Sequence, residues 1–564
     1  MKKKNKLFIL ICGLGLTSCM DLDLSPLSQA TNENWFTSEA QFEMSVNELL
    51  RENLWNTVDE KWTDDVCRNT EASTYQLGSI NGQTWEVTDM WGNSYRAIGR
   101  DNTIIDKLNT VGDQILSSAK KDQFMGECLF VRACMYSKLI TLYGDIPYSD
   151  TTIDIETALS MGRTPKTEVL QKVYADFDVA IKNLPVSSGA VQRPTKGAAY
   201  GMKARIALYN EDWDTAIKCA KACMDLGVYE LHPNYRELFL QNTHNTTESV
   251  FSIARSRAQG VYESLKDYMP RNNGGWAANG PTWDLLAAYL CKDGLPIDVS
   301  PLFDSHNPFK NRDPRCNETI VAFDENWLGY EYDPRPDTGD EVMNYNTGEE
   351  VKNNDNKNNN PEGASYNGLL QKKSIDETVN SDNGYQVESD LIILRYADVL
   401  LMYAEAKIEK DDIDQSVLDA INQVRARAYG VDASATESYP AVATTDPAKL
   451  RTILRTERRM EFAFENKRFY DMLRWRLFNK VFSLKNYGLY QTKEVNMENF
   501  INNGAWFWAI APDIDENGCA DFTALEAYGI NPLSQRSWND RQYLWPIPTT
   551  EILINKNMKQ NPGY

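Results

Sequence analysis

The chain has 564 residues, a formal net charge of −21 and 42% hydrophobic residues. So acidic a surface repels nucleic acid and anionic lipid, which excludes nucleic-acid recognition as its main role. The length suffices for a large core shared among several lobes.

Lys2, Lys3, Lys4 and Lys6 precede an apolar run from Leu7 to Leu16, with small residues just before Cys19. A run of about ten apolar residues cannot span a bilayer, so residues 1–18 read as an export signal that is removed. Cleavage before Cys19 leaves its thiol and amine free to carry acyl chains. Residues 19–31 then form a lipidated, flexible leader. No later stretch approaches the roughly 20 apolar residues of a membrane helix.

Residues 32–227 read as an N-terminal helical part. Segments 122–143 and 165–184 carry apolar residues at i, i+3 and i+4, and Pro165 suits a helix start. Residues 196–226 fall into two helices around an Asn-Glu-Asp turn, with small residues where they cross and Trp213 opening the second. That plan matches a tetratricopeptide hairpin.

Residues 228–385 are rich in Gly, Pro, Asn and aromatics and form a loop-rich ligand-binding lobe with short strands. Within it, the Asn-rich run 344–367 reads as a surface excursion. Residues 386–485 return to helical repeats, with one helix predicted over 390–409, and 486–564 are irregular. The fold class is therefore mainly α: a tetratricopeptide-like superhelix carrying an irregular lobe.

Binding chemistry concentrates in the irregular stretches, where loops on a rigid frame place side chains toward ligand. Flat aromatic faces suit the C–H surface of a sugar, and amides or Arg suit its hydroxyls. The candidates are Trp62, Asn81, Trp85, Tyr268, Arg271, Asn272, Trp276, Trp283, Trp327 and Tyr330. Trp213 and Trp475, on periodic helices, read as core, and Trp91 as structural.

Residues 513–521 offer Asp513, Asp515, Asn517 and Asp521 at the first, third, fifth and ninth positions of a calcium loop. Its twelfth position is Ala524 rather than Glu, so Ca2+ competes with a plain acidic turn. Three histidines and no CxxC pair argue against zinc. Cys219 and Cys223 read as small apolar helix residues. Glu457, Glu461 and Glu465, amid Arg458, Arg459 and Arg468, have the spacing of an ion-pair network rather than of an acid/base pair. Arg395 and Asp398 read as a further pair.

Six ordered segments carry a family resemblance. They are the Cys19 signal, Trp91 to Asn102, GECLFVRACMYSKLITLYGDIPY (126–148), ILRYADVLLMYAEA (393–406) with AINQVRARA (420–428), ERRMEFAFENKRFYDMLRW (457–475), and YLWPIPTTEI…QNPGY (543–564). Together they resemble the RagB/SusD family of outer-membrane nutrient-binding lipoproteins. The resemblance implies paired tetratricopeptide-like helices beside an irregular binding lobe. It also implies a SusC-like TonB-dependent transporter as partner, oligosaccharide or sometimes peptide as ligand, and no catalysis. Asp21 and Asp23 after Cys19 resemble the acidic signal that directs such lipoproteins to the cell exterior. A membrane-tethered glycoside hydrolase and a tetratricopeptide-type interaction scaffold are the competing functions.

Overall fold

The computed structural model describes residues 35–68, 71–189, 192–335, 340–357, 359–361, 363–489, 504 and 506–564. Cys19 and the expected export signal and leader lie outside the described residues. Among the described residues, nine helices build the frame: α1 (Glu39–Asn47), α2 (Trp85–Thr110), α3 (Ser118–Tyr143), α4 (Lys166–Asn183), α5 (Lys196–Tyr209), α6 (Trp213–Met224), α7 (Tyr396–Glu409), α8 (Gln415–Ala428) and α9 (Pro447–Phe462). Among the described residues, no helix is long and apolar enough to cross a membrane.

Local chemistry sets the helix ends. Side chains of Ser117, Thr195, Asp212, Asp414 and Asp446 accept backbone N–H groups at the starts of α3, α5, α6, α8 and α9. These caps satisfy donors that the first turn leaves free. Successive helices α3–α4, α5–α6 and α7–α8 pack as hairpins, and α7 also lies against α6. One hydrophobic core runs through all of them, because a single hairpin cannot bury its own apolar stripe.

The predicted helix over 390–409 starts later than expected. Residues Leu391–Arg395 form a strand that pairs antiparallel with Ser249–Ile253, and the helix begins at Tyr396. The β-branched pair Ile392–Ile393 suits the extended strand. This strand pair pins together the two ends of the intervening lobe. Inside the lobe, Glu325–Trp327, Tyr330–Tyr332, Glu341–Asn344 and Glu349–Lys352 form a four-stranded antiparallel meander.

The Asn-rich run is a surface excursion only in its first part: residues 345–350 are exposed, and the chain turns inward from Asn353. Asn353, Asp355, Asn356 and Asn367 are buried. Asn353 donates to the Asp333 carbonyl at 2.8 Å, and Asn367 donates to the Pro281 carbonyl at 2.5 Å. Asparagine here supplies hydrogen bonds for loop backbone that has no ladder partner. The eight cysteines after Cys19 are all free and buried, Cys219 and Cys223 among them.

Charged side chains knit the C-terminal helices together. Arg395 bonds Glu248 (2.8 Å), Glu461 (2.7 Å) and Glu465 (2.7 Å), and Arg315 bonds Asp313, Glu457 and Glu461, each at 2.8 Å. Arg427 joins Glu248 at 2.9 Å and also Glu461. Glu457, Glu461 and Glu465 thus serve an ion-pair network. Arg395 and Asp398 are both paired, though not with each other: Asp398 takes Arg205 at 2.7 Å and Arg458 at 3.0 Å.

Burial alone would raise the Glu461 pKa, but Arg427, Arg395 and Arg315 outweigh it and hold it well below the usual range. Arg205 and Arg458 do the same for Asp398 against its burial. Carboxylates depressed in the fold stabilise it above their unfolded pKa, and that stabilisation disappears as pH falls through the folded value. The unfolding midpoint is therefore expected to drop steeply below about pH 4, near the unfolded carboxylate pKa, in a circular-dichroism melt series.

Candidate functional site

A polar cleft of about 540 Å3 opens where the lobe meets the frame. Its frame side is built by short segments before α2 that include Glu52, Asn53, Asn56, Thr57 and Glu60, and by Phe464 to Asn466 beyond α9. The lobe contributes Arg255, Glu263 and Tyr268, with Gln371 and Ser374. Arg255 bridges the two sides, bonding Glu52 at 2.7 Å and Glu263 at 2.6 Å. Amides, hydroxyls and carboxylates beside the rings of Tyr268 and Phe464 give the alternation of hydrogen-bonding and apolar surface that a sugar presents in return.

Glu60 is unusual in this setting. It is buried, and its carboxylate accepts the Asn466 N–H at 2.6 Å. Burial, reinforced by the charge of Asp65, pushes its pKa up to about 8. A carboxyl with a raised folded pKa holds its proton while the unfolded one ionises, so stability falls between about pH 4.5 and pH 8. Glu60→Gln keeps the acceptor oxygen and removes that penalty. Its unfolding free energy is expected to exceed that of the parent chain by about 4 kcal/mol at pH 8, with little difference at pH 4.5. Urea titrations at the two pH values check this.

The fourteen tryptophans separate sharply. Two are exposed, Trp85 at 69% and Trp276 at 47%. Trp276 stands on a loop whose backbone is bonded throughout: Gly275 N–H to Pro270 (2.9 Å), Trp276 N–H to Lys266 (2.7 Å) and Ala277 N–H to Met269 (3.0 Å). The Trp276 N–H therefore ties it to the segment that continues into the cleft residue Tyr268. The Lys266 ammonium lies over its ring at 4.8 Å from the centroid. Below the loop, Asp355 accepts the N–H groups of Arg271 (2.8 Å) and Asn272 (3.1 Å), and the Arg271 guanidinium donates to the Gly363 carbonyl. Arg271 and Asn272 thus brace the loop, although both keep some exposure.

Trp85 opens α2, and Asp89 one turn later accepts the side chain of the cleft residue Asn56 at 2.7 Å. Residues i and i+4 share a helix face, so Trp85 lies on the same side of α2 as Asp89. Exposed Asn81 forms the turn before the helix, its side chain accepting the Gln83 N–H at 2.8 Å.

Three expected ligand contacts are core residues instead. Trp62 is stacked on Tyr75 at 4.8 Å and packs beside Trp545. Trp283 lies edge-on to Phe507 and Trp508 in a second hydrophobic core, with its indole N–H on the Asn367 carbonyl. Trp327 is buried between Arg236 and Lys372. Tyr330 is half-buried in the meander, opposite Trp327. Trp91 is buried against Tyr143, and Trp213 and Trp475 pack on the main core, as expected.

The calcium loop does not gather its oxygens. Asp513 pairs with Asp521 across a short hairpin. Asp515 is taken by Lys480 at 2.5 Å and by the Asn517 and Cys519 N–H groups, while Asn517 is bonded by Arg455. Asp521 accepts the Thr523 N–H at 2.8 Å. Cations and amides already fill the positions that Ca2+ would need, so the residues do not fit the ion. Among the described residues, no three His, Cys, Asp or Glu side chains are grouped to hold a metal.

Sequence reasoning missed most of the cleft: Asn53, Asn56, Thr57, Glu60, Arg255 and Phe464. They come from segments up to about 400 positions apart with no shared motif. Only Phe464 carried a trace, in the Phe-Glu-Asn break that ends α9, where its φ is +62°.

A helical-repeat frame bearing a loop-built polar cleft with exposed tryptophans near its walls defines a binding-protein architecture. The chain belongs to the SusD family: the family model described as SusD family matches residues 239–564. A second, described as starch-binding associating with outer membrane, matches residues 22–208. The SusD-like protein P2 of Formosa agariphila is 26% identical over an alignment of 588 residues spanning all of both chains. A solved SusD-like carbohydrate-binding protein of Bacteroides fragilis has 26% identity and a TM-score of 0.75, covering 93% of this chain and 99% of the other. Surface glycan-binding protein A of Bacteroides fluxus has 18% identity and a TM-score of 0.61, covering 93% and 100%, and shares the fold.

Proposed function

We propose that this chain captures oligosaccharide at the cleft, using Trp276 and Trp85 as stacking surfaces, and passes it uncleaved to a SusC-like TonB-dependent transporter in the outer membrane. Acyl chains on Cys19 tether the body there, facing the cell exterior. The observation that carries the reading is the exposure of two tryptophans, Trp276 bonded to the segment that leads to the cleft residue Tyr268 and Trp85 one helical turn from Asp89, the partner of the cleft residue Asn56. An indole left in water has lost its hydrophobic stabilisation, and a sugar face restores it. The carbohydrate-binding title of the Bacteroides fragilis relative and the starch-binding description of the N-terminal match support the ligand class.

Affinity electrophoresis in polysaccharide-containing gels tests the site. The parent chain is expected to be retarded, with Trp276→Ala and Trp85→Ala each weakening retention about tenfold or more. Equal retention of parent and variants refutes the assignment of these residues.

Glu60 supports a second reading, as a tethered glycoside hydrolase, because a protonated carboxyl in a cleft is the acid such chemistry requires. Release of shortened products, abolished in Glu60→Gln, would favour it.

A further inference from the structure

We infer that a second, cationic cleft on the helical frame binds an acidic saccharide through its carboxylate or sulfate ester. This cleft encloses about 560 Å3 and is lined by Lys166, Arg474, Arg476 and Arg541 together with Tyr209, Tyr470 and Tyr543. This cleft shares no lining residue with the one beside Tyr268.

Charge pairing elsewhere in the molecule sets the contrast. The buried arginines of the α7–α9 region are matched to carboxylates, and Arg474 is likewise held by Glu405 and by Asp471 at 2.8 Å. Among the described residues, Lys166, Arg476 and Arg541 have no carboxylate within ion-pair distance. Arg541 instead donates to the carbonyls of Gly563 (3.0 Å) and Gly78 (3.2 Å), which leaves its charge uncompensated. Its Nε is buried with no hydrogen-bond partner. Arg476 lies over the Tyr543 ring at 4.3 Å from the centroid.

Lys166 and Arg476 line the same cleft, and burial, then the charge of Arg476, lowers the Lys166 pKa against the opposing charges of Glu211 and Asp145. Holding like charges together is unfavourable unless an anion comes between them. Two carboxylates reach the lining. Asp540 is occupied by the Trp538 indole N–H at 2.7 Å, and Glu211 is exposed at the end of α5. A local positive field on a chain of net charge −21 selects anions strongly. Guanidinium forks match carboxylate and sulfate oxygens. The stacked rings of Tyr209 and Tyr470, 5.6 Å apart, give the pocket an apolar wall for a pyranose ring.

Isothermal titration with glucuronate, glucose and inorganic sulfate tests this on the full chain. Glucuronate is expected to bind saturably, more tightly than either glucose or sulfate. The double variant Lys166→Gln/Arg476→Gln weakens it about tenfold or more, and high salt weakens it too. Glu211→Gln, which removes an exposed carboxylate, is expected to tighten it. Trp276→Ala leaves it unchanged, so failure of the capture reading and failure of this one are distinguishable. Absence of saturable binding, unchanged affinity in the double variant, or sulfate binding as tightly as glucuronate overturns the inference.

Discussion

Replacing Arg395 with Leu is expected to cost ~3–5 kcal/mol and to leave little folded protein at physiological temperature. The guanidinium touches Glu248, Glu461 and Glu465; Glu248 and Glu461 lie with it in the interior, while Glu465 reaches the wall of the cleft. Removing it leaves Glu248 and Glu461 in the interior with fewer cationic partners, and an undercompensated buried charge is costly. Arg427 and Arg315 still neutralise part of Glu461, while Lys373 at 2.6 Å remains for Glu465. Glu248 keeps Arg427, so the deficit is shared rather than confined to one group. Arg395→Lys is expected to recover only a minority of the loss, because an ammonium cannot reproduce the fork that serves three carboxylates. Urea unfolding of the two variants beside the parent gives both numbers. Equal stability of Arg395→Leu and the parent would mean that the network contributes no more than an apolar substitute.

Gly275→Ala is expected to abolish retention on polysaccharide while the helical frame stays folded. An added Cβ at this position collides with the Met269 carbonyl, a backbone atom that cannot swing aside. Gly274, next to it, has φ of +85° and faces the Tyr385 hydroxyl just as closely. The pair therefore admits no side chain, and the loop must open to accept one, at a cost of about 2 kcal/mol or more. Opening breaks the Gly275, Trp276 and Ala277 backbone bonds that hold the indole outward. Because the strand pair Ser249–Ile253 with Leu391–Arg395 seals the base of the lobe, the damage stays local. A melting midpoint within a few degrees of the parent, combined with lost retention, is the expected outcome. Full retention would show that Trp276 needs no fixed loop.

The helical frame was legible because its signal is periodic. Apolar residues at 3.6-residue spacing over 122–143 and 196–226 have one solution, and Asp212 and Asp414 mark where the second helix of a hairpin starts. The helix over 390–409 was misread at its start, since Ile393 fits an apolar helix face and a buried strand equally well. The aromatic candidates were half legible. In an irregular stretch, Trp276 and Trp283 look alike, yet the loops fold back to make a second core that claims Trp283 with Phe507, Trp508 and Phe522. Composition misled over the second half of the Asn-rich run, where Asn353, Asn356 and Asn367 are buried because they bond loop backbone. The calcium spacing was intact in sequence, but Lys480 and Arg455 arrive from distant helices to take its oxygens. Long-range pairing of this kind has no local signature.

Capture without cleavage is tested in both halves by titration of the full chain with a series of neutral oligosaccharides, followed by chromatography of the recovered sugar. The predicted result is saturable binding that strengthens with chain length until the cleft and its flanking tryptophans are spanned, with every oligosaccharide recovered at its original length. Absence of binding across the series, or recovery of shortened sugars, would contradict it.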